Sequence, residues 1–184
     1  AKQLAERFGA DPQRAQAAGW LHDDSAILPV LQRLVVARRW GLEILPAEET
    51  APMLLHQRLS AVISQDIFGN QDRGVLSAIG CHTTLKAQAS PLDKVVFVAD
   101  KLAWDQPGTP PYRGQLDQAL TCSLDRAALC LGAEVGHEFI EVLPAGFLAA
   151  GNGSVPCKKD DIPVHTDSSL EIGAGLICGR PFNL

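Results

Sequence analysis

Residues 11–23 read DPQRAQAAGWLHD, and this stretch decides the predicted fold. Asp11 is a residue type that caps helices, and Pro12 suits the first helical position, so we expect a helix to start here. Ala15, Ala18 and Leu21 then fall near one face at helical spacing. The helix ends in His22-Asp23, which places an imidazole beside a carboxylate.

Helical patterns of the same kind continue on both sides of this stretch. An earlier helix stops at Gly9, and an amphipathic helix is expected from Pro29 to Trp40 before Gly41 ends it. On that helix we expect one side to face the core (Leu31, Leu34, Val35) and a charged side to face solvent (Arg33, Arg38, Arg39). Further helices are predicted over Met53–Phe68, over Val75–His82 after a cap at Asp72, over Leu92–Leu102 after Ser90-Pro91, and over Leu116–Leu131, with loops at 42–52 and 105–114.

The pattern changes after Leu131. Residues 132–184 are rich in glycine and proline and show no clean helical period, although residues 135–148 suit either a helix or two short strands. We therefore predict an all-α helical bundle over residues 1–131, followed by an irregular C-terminal segment over residues 132–184 whose fold the pattern does not indicate.

Composition restricts the classes of function. The chain has 184 residues, of which 46% are hydrophobic and 20% charged, with a net charge of −5. This balance predicts a globular domain and argues against non-specific binding of nucleic acid or insertion in a membrane. The five cysteines are odd in number and include no CxxC pair, which favours free thiols in a reducing compartment, the cytoplasm.

Histidine and aspartate side chains in the helical part form a candidate metal site. Neutral imidazoles and carboxylates together suit a divalent ion such as iron, manganese, nickel or zinc, which activates water and polarises a phosphoryl oxygen. Each residue also has a structural interpretation: the histidines as core residues, and Asp100 as the ion-pair partner of Lys94 or Lys101. Their order along the helices, HD, H, H and D, favours the metal site, with ligands His22, Asp23, His56, His82 and Asp100.

Four stretches of the chain resemble the HD superfamily of phosphohydrolases, and specifically the YqeK-type symmetrical diadenosine tetraphosphate hydrolases. They are LAERFGADPQRAQAAGWLHD (4–23), PMLLHQRLSAVISQDIFG (52–69), VLSAIGCHTT (75–84) and SPLDKVVFVADK (90–101). The resemblance implies an HD-type helical bundle that cleaves diadenosine tetraphosphate to two ADP with a divalent metal, usually iron. The family carries a further metal-binding histidine on a helix that would precede Ala1, so we expect the domain to be truncated at its N-terminus.

The resemblance also implies residue roles. His22, Asp23 and Asp100 would hold a metal, and Asp23 would be the catalytic residue. His56 and His82 would hold a second ion or contact the substrate phosphates, while Thr83 and Lys86 would bind substrate. The partner would be a small-molecule nucleotide; a homodimer is one alternative for the oligomeric state. Two other hypotheses are an HD-type domain that binds nucleotide with weak or no catalysis, and a helical interaction module with structural histidines.

Overall fold

The structure is a computed structural model that describes the backbone of residues 1–104 and 106–139 and the side chains of residues 1–104 and 106–132. Within these ranges the regular structure is helical, as predicted. The α-helices are α1 (Lys2–Phe8), α2 (Pro12–Leu21), α3 (Val30–Arg39), α4 (Pro46–Thr50), α5 (Leu55–Asp66), α6 (Arg73–Gly80), α7 (Pro91–Leu102), α8 (Arg113–Cys122) and α9 (Leu124–Phe139). Two short 3₁₀ helices, Asp24–Ile27 and Pro52–Leu54, precede α3 and α5.

Three of the helices begin at the capping residues that the sequence predicts. The carboxylate of Asp11 accepts hydrogen bonds from the backbone N–H groups of Gln13 and Arg14. Asp72 caps α6 in the same way, and the Ser90 hydroxyl accepts from the N–H of Asp93 at the start of α7. Each cap satisfies N–H groups that have no partner within the helix, which fixes where the helix starts.

Helix α7 is the centre of the main core. Its residues Val95, Val96, Phe97 and Val98 are at most 2% exposed, and the helix packs against α1, α2, α6 and α9. Burying a side chain such as Phe97 contributes about 1.5–3 kcal/mol. The most strongly buried helix therefore also carries Asp100, which it presents at its C-terminal end.

Of the three residues predicted to face the core from α3, Leu34 packs against a buried cluster, whereas the other two do not. Leu31 and Val35, expected in the core, are 89% and 64% exposed. The helix instead packs on α5 through Ala37, which contacts Leu55 and Leu59 in a second, smaller core. The small alanine side chain lets the two helices approach closely, and this contact turns the other apolar stripe of α3 towards solvent.

Several predicted boundaries also need correction. The expected loop at 42–52 contains α4, in which the Glu48 side chain accepts from the N–H of Leu45 at 2.9 Å. The single helix expected over Leu116–Leu131 is divided at Ser123, whose extended backbone (φ −167°, ψ 164°) separates α8 from α9. Helix α9 runs to Phe139, past the predicted domain end at residue 131. The rest of the segment, residues 140–184, lies outside the described residues.

No helix in the described part of the chain combines the length and the apolar character needed to cross a membrane.

Candidate metal centre

Three histidines are oriented by the same local contact. In each, the ring Nδ1 faces the backbone carbonyl of the residue three positions earlier; because a carbonyl oxygen only accepts, Nδ1 carries the proton and donates it. In the neutral form of such a ring Nε2 is unprotonated and points away from the carbonyl, where it can bind a metal. The distances are 2.9 Å for His22 to Gly19, 2.6 Å for His56 to Met53 and 2.7 Å for His82 to Ile79.

The Nε2 atoms converge on Asp23. One carboxylate oxygen of Asp23 lies 3.5 Å from Nε2 of both His56 and His82, and the other lies 3.5 Å from Nε2 of His22. Asp100 adds a second carboxylate, with Oδ1 3.5 Å from Nε2 of His22. The structure thus brings together all five residues that were predicted from the sequence as metal ligands.

The spacing of these donor atoms fits a divalent ion. Nε2 of His56 and Nε2 of His82 are 3.0 Å apart, a separation that suits either a hydrogen bond between the two rings or a cation bound by both. Separations of 3.0–3.5 Å are those of neighbouring ligands whose bonds to one ion are about 2.1 Å long. The ligand atoms of His22, Asp23 and His82 all lie within 4.8 Å of one another, which makes this trio the core of the candidate centre.

Burial and charge shift the pKa values of the candidate ligands, in opposite directions for two of the histidines. Burial, together with the neighbouring His82, lowers the pKa of His56 to about 4, so this ring is neutral at pH 7. The imidazole of His82, 3.5 Å from one of its oxygens, lowers the pKa of Asp23, outweighing the opposing effect of burial. Burial would lower the pKa of His22, but the neighbouring carboxylates of Asp100 and Asp23 raise it.

The sequence left two interpretations of Asp100 open, a metal ligand or the ion-pair partner of a lysine, and Asp100 makes contacts that fit both. Its Oδ1 faces His22, whereas its Oδ2 contacts the ammonium of Lys101. Burial alone would raise the pKa of Asp100, but the neighbouring imidazole of His22 and the charge of Lys101 hold it well below its usual range. The other candidate, Lys94, pairs with Asp125 instead. Lys101 also lies 3.4 Å from the carbonyl oxygen of His82, so its charge is held at the cluster.

The two predicted substrate-binding residues lie in different places. The Thr83 hydroxyl is 3.0 Å from Nε2 of His56 and so belongs to the cluster. The ammonium of Lys86, in contrast, contacts the Ser77 hydroxyl and lies 3.2 Å from the carboxylate of Asp93, at the first turn of α7. Asp100 is at the last turn of that helix, so the structure does not bring Lys86 to the histidines.

Gln57 supports the cluster, although it was not among the residues predicted from the sequence. This buried side chain accepts hydrogen bonds from the N–H groups of Thr83 (3.0 Å) and Thr84 (3.3 Å) and donates to the Thr84 hydroxyl (3.0 Å). It therefore fixes the turn that follows His82. Its position directly after His56 was the available signal, although an adjacent polar residue on a helix more often faces solvent.

The prediction that Arg33 faces solvent is wrong. Arg38 and Arg39 are exposed, as expected for a solvated face, but Arg33 is part-buried. Its guanidinium donates to the carbonyl oxygens of Leu28 and Met53, both at 3.2 Å. Burial lowers the pKa of Arg33, while the charge of Asp23 opposes that shift. The turn of α3 that places Ala37 against α5 also carries Arg33 inward, towards the metal cluster.

A cleft of about 440 Å³ opens from the cluster. Three of the candidate ligands, His22, Asp23 and Asp100, form one part of its lining, and Lys101 lies beside them. Trp104 and Tyr112 also line the cleft, with their rings edge to face at a centroid distance of 6.1 Å. Its lining combines metal-binding, cationic and aromatic groups.

Comparisons with known proteins identify the family of the chain. The family model of the HD domain matches residues 1–105. A symmetrical bis(5'-nucleosyl)-tetraphosphatase from Bacillus subtilis is 34% identical over 138 residues, which cover 70% of this chain and 72% of that protein. An uncharacterized protein encoded in the pepC 5' region of Lactococcus lactis subsp. cremoris is 40% identical over 116 residues, 63% of this chain. The chain spans 60% of the length of that Lactococcus relative.

A solved structure shows the same fold. A protein from Clostridium acetobutylicum, described as a predicted HD superfamily hydrolase involved in NAD metabolism, superposes with a TM-score of 0.68 at 25% identity. The match covers 76% of this chain and 73% of that protein.

Proposed function

Because this chain belongs to the HD-domain family, and groups within it with the symmetrical bis(5'-nucleosyl)-tetraphosphatases, we propose that it hydrolyses dinucleoside polyphosphates. Diadenosine tetraphosphate is the proposed substrate and two ADP are the proposed products. The observation that carries the proposal is the convergence of three imidazole Nε2 atoms on Asp23, at 3.5 Å each, beside an open cleft.

The donor set fits a divalent transition metal, with iron as the proposed ion. When bound, such an ion activates water as a nucleophile and offsets charge on phosphoryl oxygens. His22, Asp23 and His82 would hold it, with Asp100 and His56 as the further donors. Thr83, beside His56, is the proposed hydroxyl contact to a phosphate. The fixed Nδ1–H contacts orient each ring before any ligand arrives, so little reorganisation is needed on binding.

Asp23 and Lys101 are assigned roles in the reaction at the phosphate chain. The proposed reaction adds water to one of the two central phosphorus atoms and breaks its bond to the bridging oxygen, which leaves with the second ADP. The pKa of Asp23 is lowered, and its side chain is 53% exposed and lines the cleft, so we assign its carboxylate to accept the proton of the attacking water. Lys101 offsets the charge of Asp100 and so reduces repulsion of the polyanion.

The test follows ADP release by the full chain. The protein, loaded with iron(II) or manganese(II) under reducing conditions, is mixed with diadenosine tetraphosphate in ¹⁸O-labelled water. We expect ADP as the product, with one label for every two ADP molecules. Asp23→Asn should abolish the release, whereas Asp66→Asn, a matched change at an exposed position of α5, should not. A metal-loaded chain that binds the substrate and releases no ADP would instead be a nucleotide-binding domain without catalysis.

A further inference from the structure

The cleft beside the metal cluster has an aromatic wall that the proposed hydrolysis leaves without a role. Trp104 follows Ala103, the residue that ends α7. Tyr112 is held to the same place, because its hydroxyl donates to the carbonyl oxygen of Lys101 at 3.2 Å. Both rings are therefore fixed relative to the turn of α7 that carries Asp100.

The two rings differ in how they meet solvent. Tyr112 is part-buried and packs against the main core, whereas Trp104 remains 39% exposed. Their planes cross at 86°, so the two rings meet edge to face and not as a parallel stack. Trp104 therefore keeps part of its aromatic surface exposed and lines the cleft with it.

Exposure alone would not single out Trp104. Trp20 and Trp40 are also exposed, at 76% and 42%, but neither lines the cleft. What distinguishes Trp104 is that one cleft of about 440 Å³ joins it to the metal-ligand candidates. A ligand that fills the cleft would place a polyanionic group at the cluster and a flat apolar group at the indole.

We propose that Trp104, braced by Tyr112, is the stacking surface for a nucleobase whose phosphates reach the metal centre. This inference rests on the proposed function for the identity of the phosphate chain. Every nucleobase has a flat π-face, and stacking on an aromatic side chain is tolerant of base identity. The site would thus distinguish nucleotides from inorganic polyphosphate, while the metal cluster would bind the phosphates of both.

The test measures binding, so it does not depend on catalysis. Calorimetry with the manganese(II)-loaded full chain gives dissociation constants for ADP and for inorganic pyrophosphate. Trp104→Ala should weaken ADP binding by about 5- to 150-fold, the range for loss of one base–aromatic stack, and leave pyrophosphate binding unchanged. Trp104→Phe, which keeps a ring, should retain most of the ADP affinity. Trp20→Ala removes an exposed indole outside the cleft and should leave both constants unchanged.

The outcomes separate this inference from the hydrolase proposal. If Trp104→Ala binds ADP as tightly as the native chain, or loses ADP and pyrophosphate affinity equally while its thermal unfolding is unchanged, the base site is refuted. If ADP binds through Trp104 but the native chain releases no ADP from diadenosine tetraphosphate, the hydrolase proposal fails and the base site stands. If the native chain hydrolyses diadenosine tetraphosphate but Trp104→Ala has no effect on ADP binding, the base site fails and the hydrolase proposal stands.

Discussion

Replacing Gln57 by leucine should weaken both the fold and the metal centre. Gln57 is only 5% exposed. Its amide makes four hydrogen bonds to Thr83 and Thr84, in the turn that directly follows His82. Leucine keeps the helix and most of the apolar contact but makes none of these bonds. Two backbone N–H groups then lose their acceptor, and the turn loses the contact that fixes its position.

The size of the effect follows from those contacts. A hydrogen bond of this kind contributes about 0.5–1.5 kcal/mol net, and Thr83 and Thr84 are only partly buried, so water replaces part of what is lost. We expect the free energy of unfolding to fall by about 2–3 kcal/mol. For a chain of this length each kcal/mol lowers the melting temperature by about 2–4 °C, which predicts a decrease of about 5–10 °C.

The Gln57→Leu variant should also lose activity and metal. Displacement of His82 and of the Thr83 hydroxyl, which lies 3.0 Å from Nε2 of His56, should lower kcat/KM for diadenosine tetraphosphate by about 10–100-fold. Retention of manganese(II) through gel filtration should fall as well, and a purely structural role would not change it below the melting temperature.

The matched control is Gln65→Leu, on the same helix but exposed. It should change the free energy of unfolding by less than about 0.5 kcal/mol and leave metal retention unchanged. Equal melting temperatures for the two variants would refute the role of Gln57 in holding the turn. A destabilised Gln57→Leu protein with normal metal retention would show that the turn does not position His82.

Three further changes test other parts of the structure. Asp23→Asn should weaken manganese(II) binding by at least about 10–100-fold, because this carboxylate faces all three imidazoles; equilibrium dialysis measures it, and native affinity would contradict the assignment. Arg33→Met should lower the free energy of unfolding in urea by about 1–3 kcal/mol through two lost hydrogen bonds, whereas the exposed Arg38→Met should change it little; equal effects would argue against a structural role for Arg33. The hydrogen bond with Arg14 lowers the pKa of Asp72 from 3.8, so its charge stabilises the fold above that value and ceases to do so as the pH falls through the lowered pKa. The stability difference between the native chain and Asp72→Asn should therefore be present at neutral pH and vanish under strong acid, and a difference independent of pH would contradict this.

Helix starts could be predicted from the sequence because they depend on local contacts. Asp11, Asp72 and Ser90 each accept from N–H groups two or three residues later, and proline at the first helical position adds to two of these signals. Ser123 carries a signal of the same kind, although one continuous helix was predicted across it. Its hydroxyl accepts from the N–H of Arg126 at 3.1 Å, so this serine marks the start of α9.

The buried face of α3 could be predicted only in part, for Leu34, because its sequence offers two apolar stripes. VLQRLVVARR places apolar residues on most sides of the helix, and periodicity alone does not decide which of them meets a neighbour. The close approach of Ala37 to α5 decides it, and that contact depends on the tertiary arrangement. The same rotation that exposes Leu31 and Val35 brings Arg33 to the carbonyl oxygens of Leu28 and Met53.

The candidate ligands could be selected from sequence because their orientation is mostly local. His22, His56 and His82 each stand three residues after the carbonyl that accepts from Nδ1, so each segment fixes its own ring without help from the others. Packing among α2, α5 and α6 then brings the three Nε2 atoms together. The residues that support these ligands could not be selected in this way. Gln57 and Lys101 contact residues that are 27 and 19 positions away in the sequence, so only the folded structure shows what they contact. The contact between Trp104 and Tyr112 could not be predicted either, because Trp104 lies in an irregular segment and Tyr112 is placed beside it by the packing of α8. A metal-binding motif can therefore be found in the sequence, whereas the groups that would decide which phosphate ester reaches it depend on the fold.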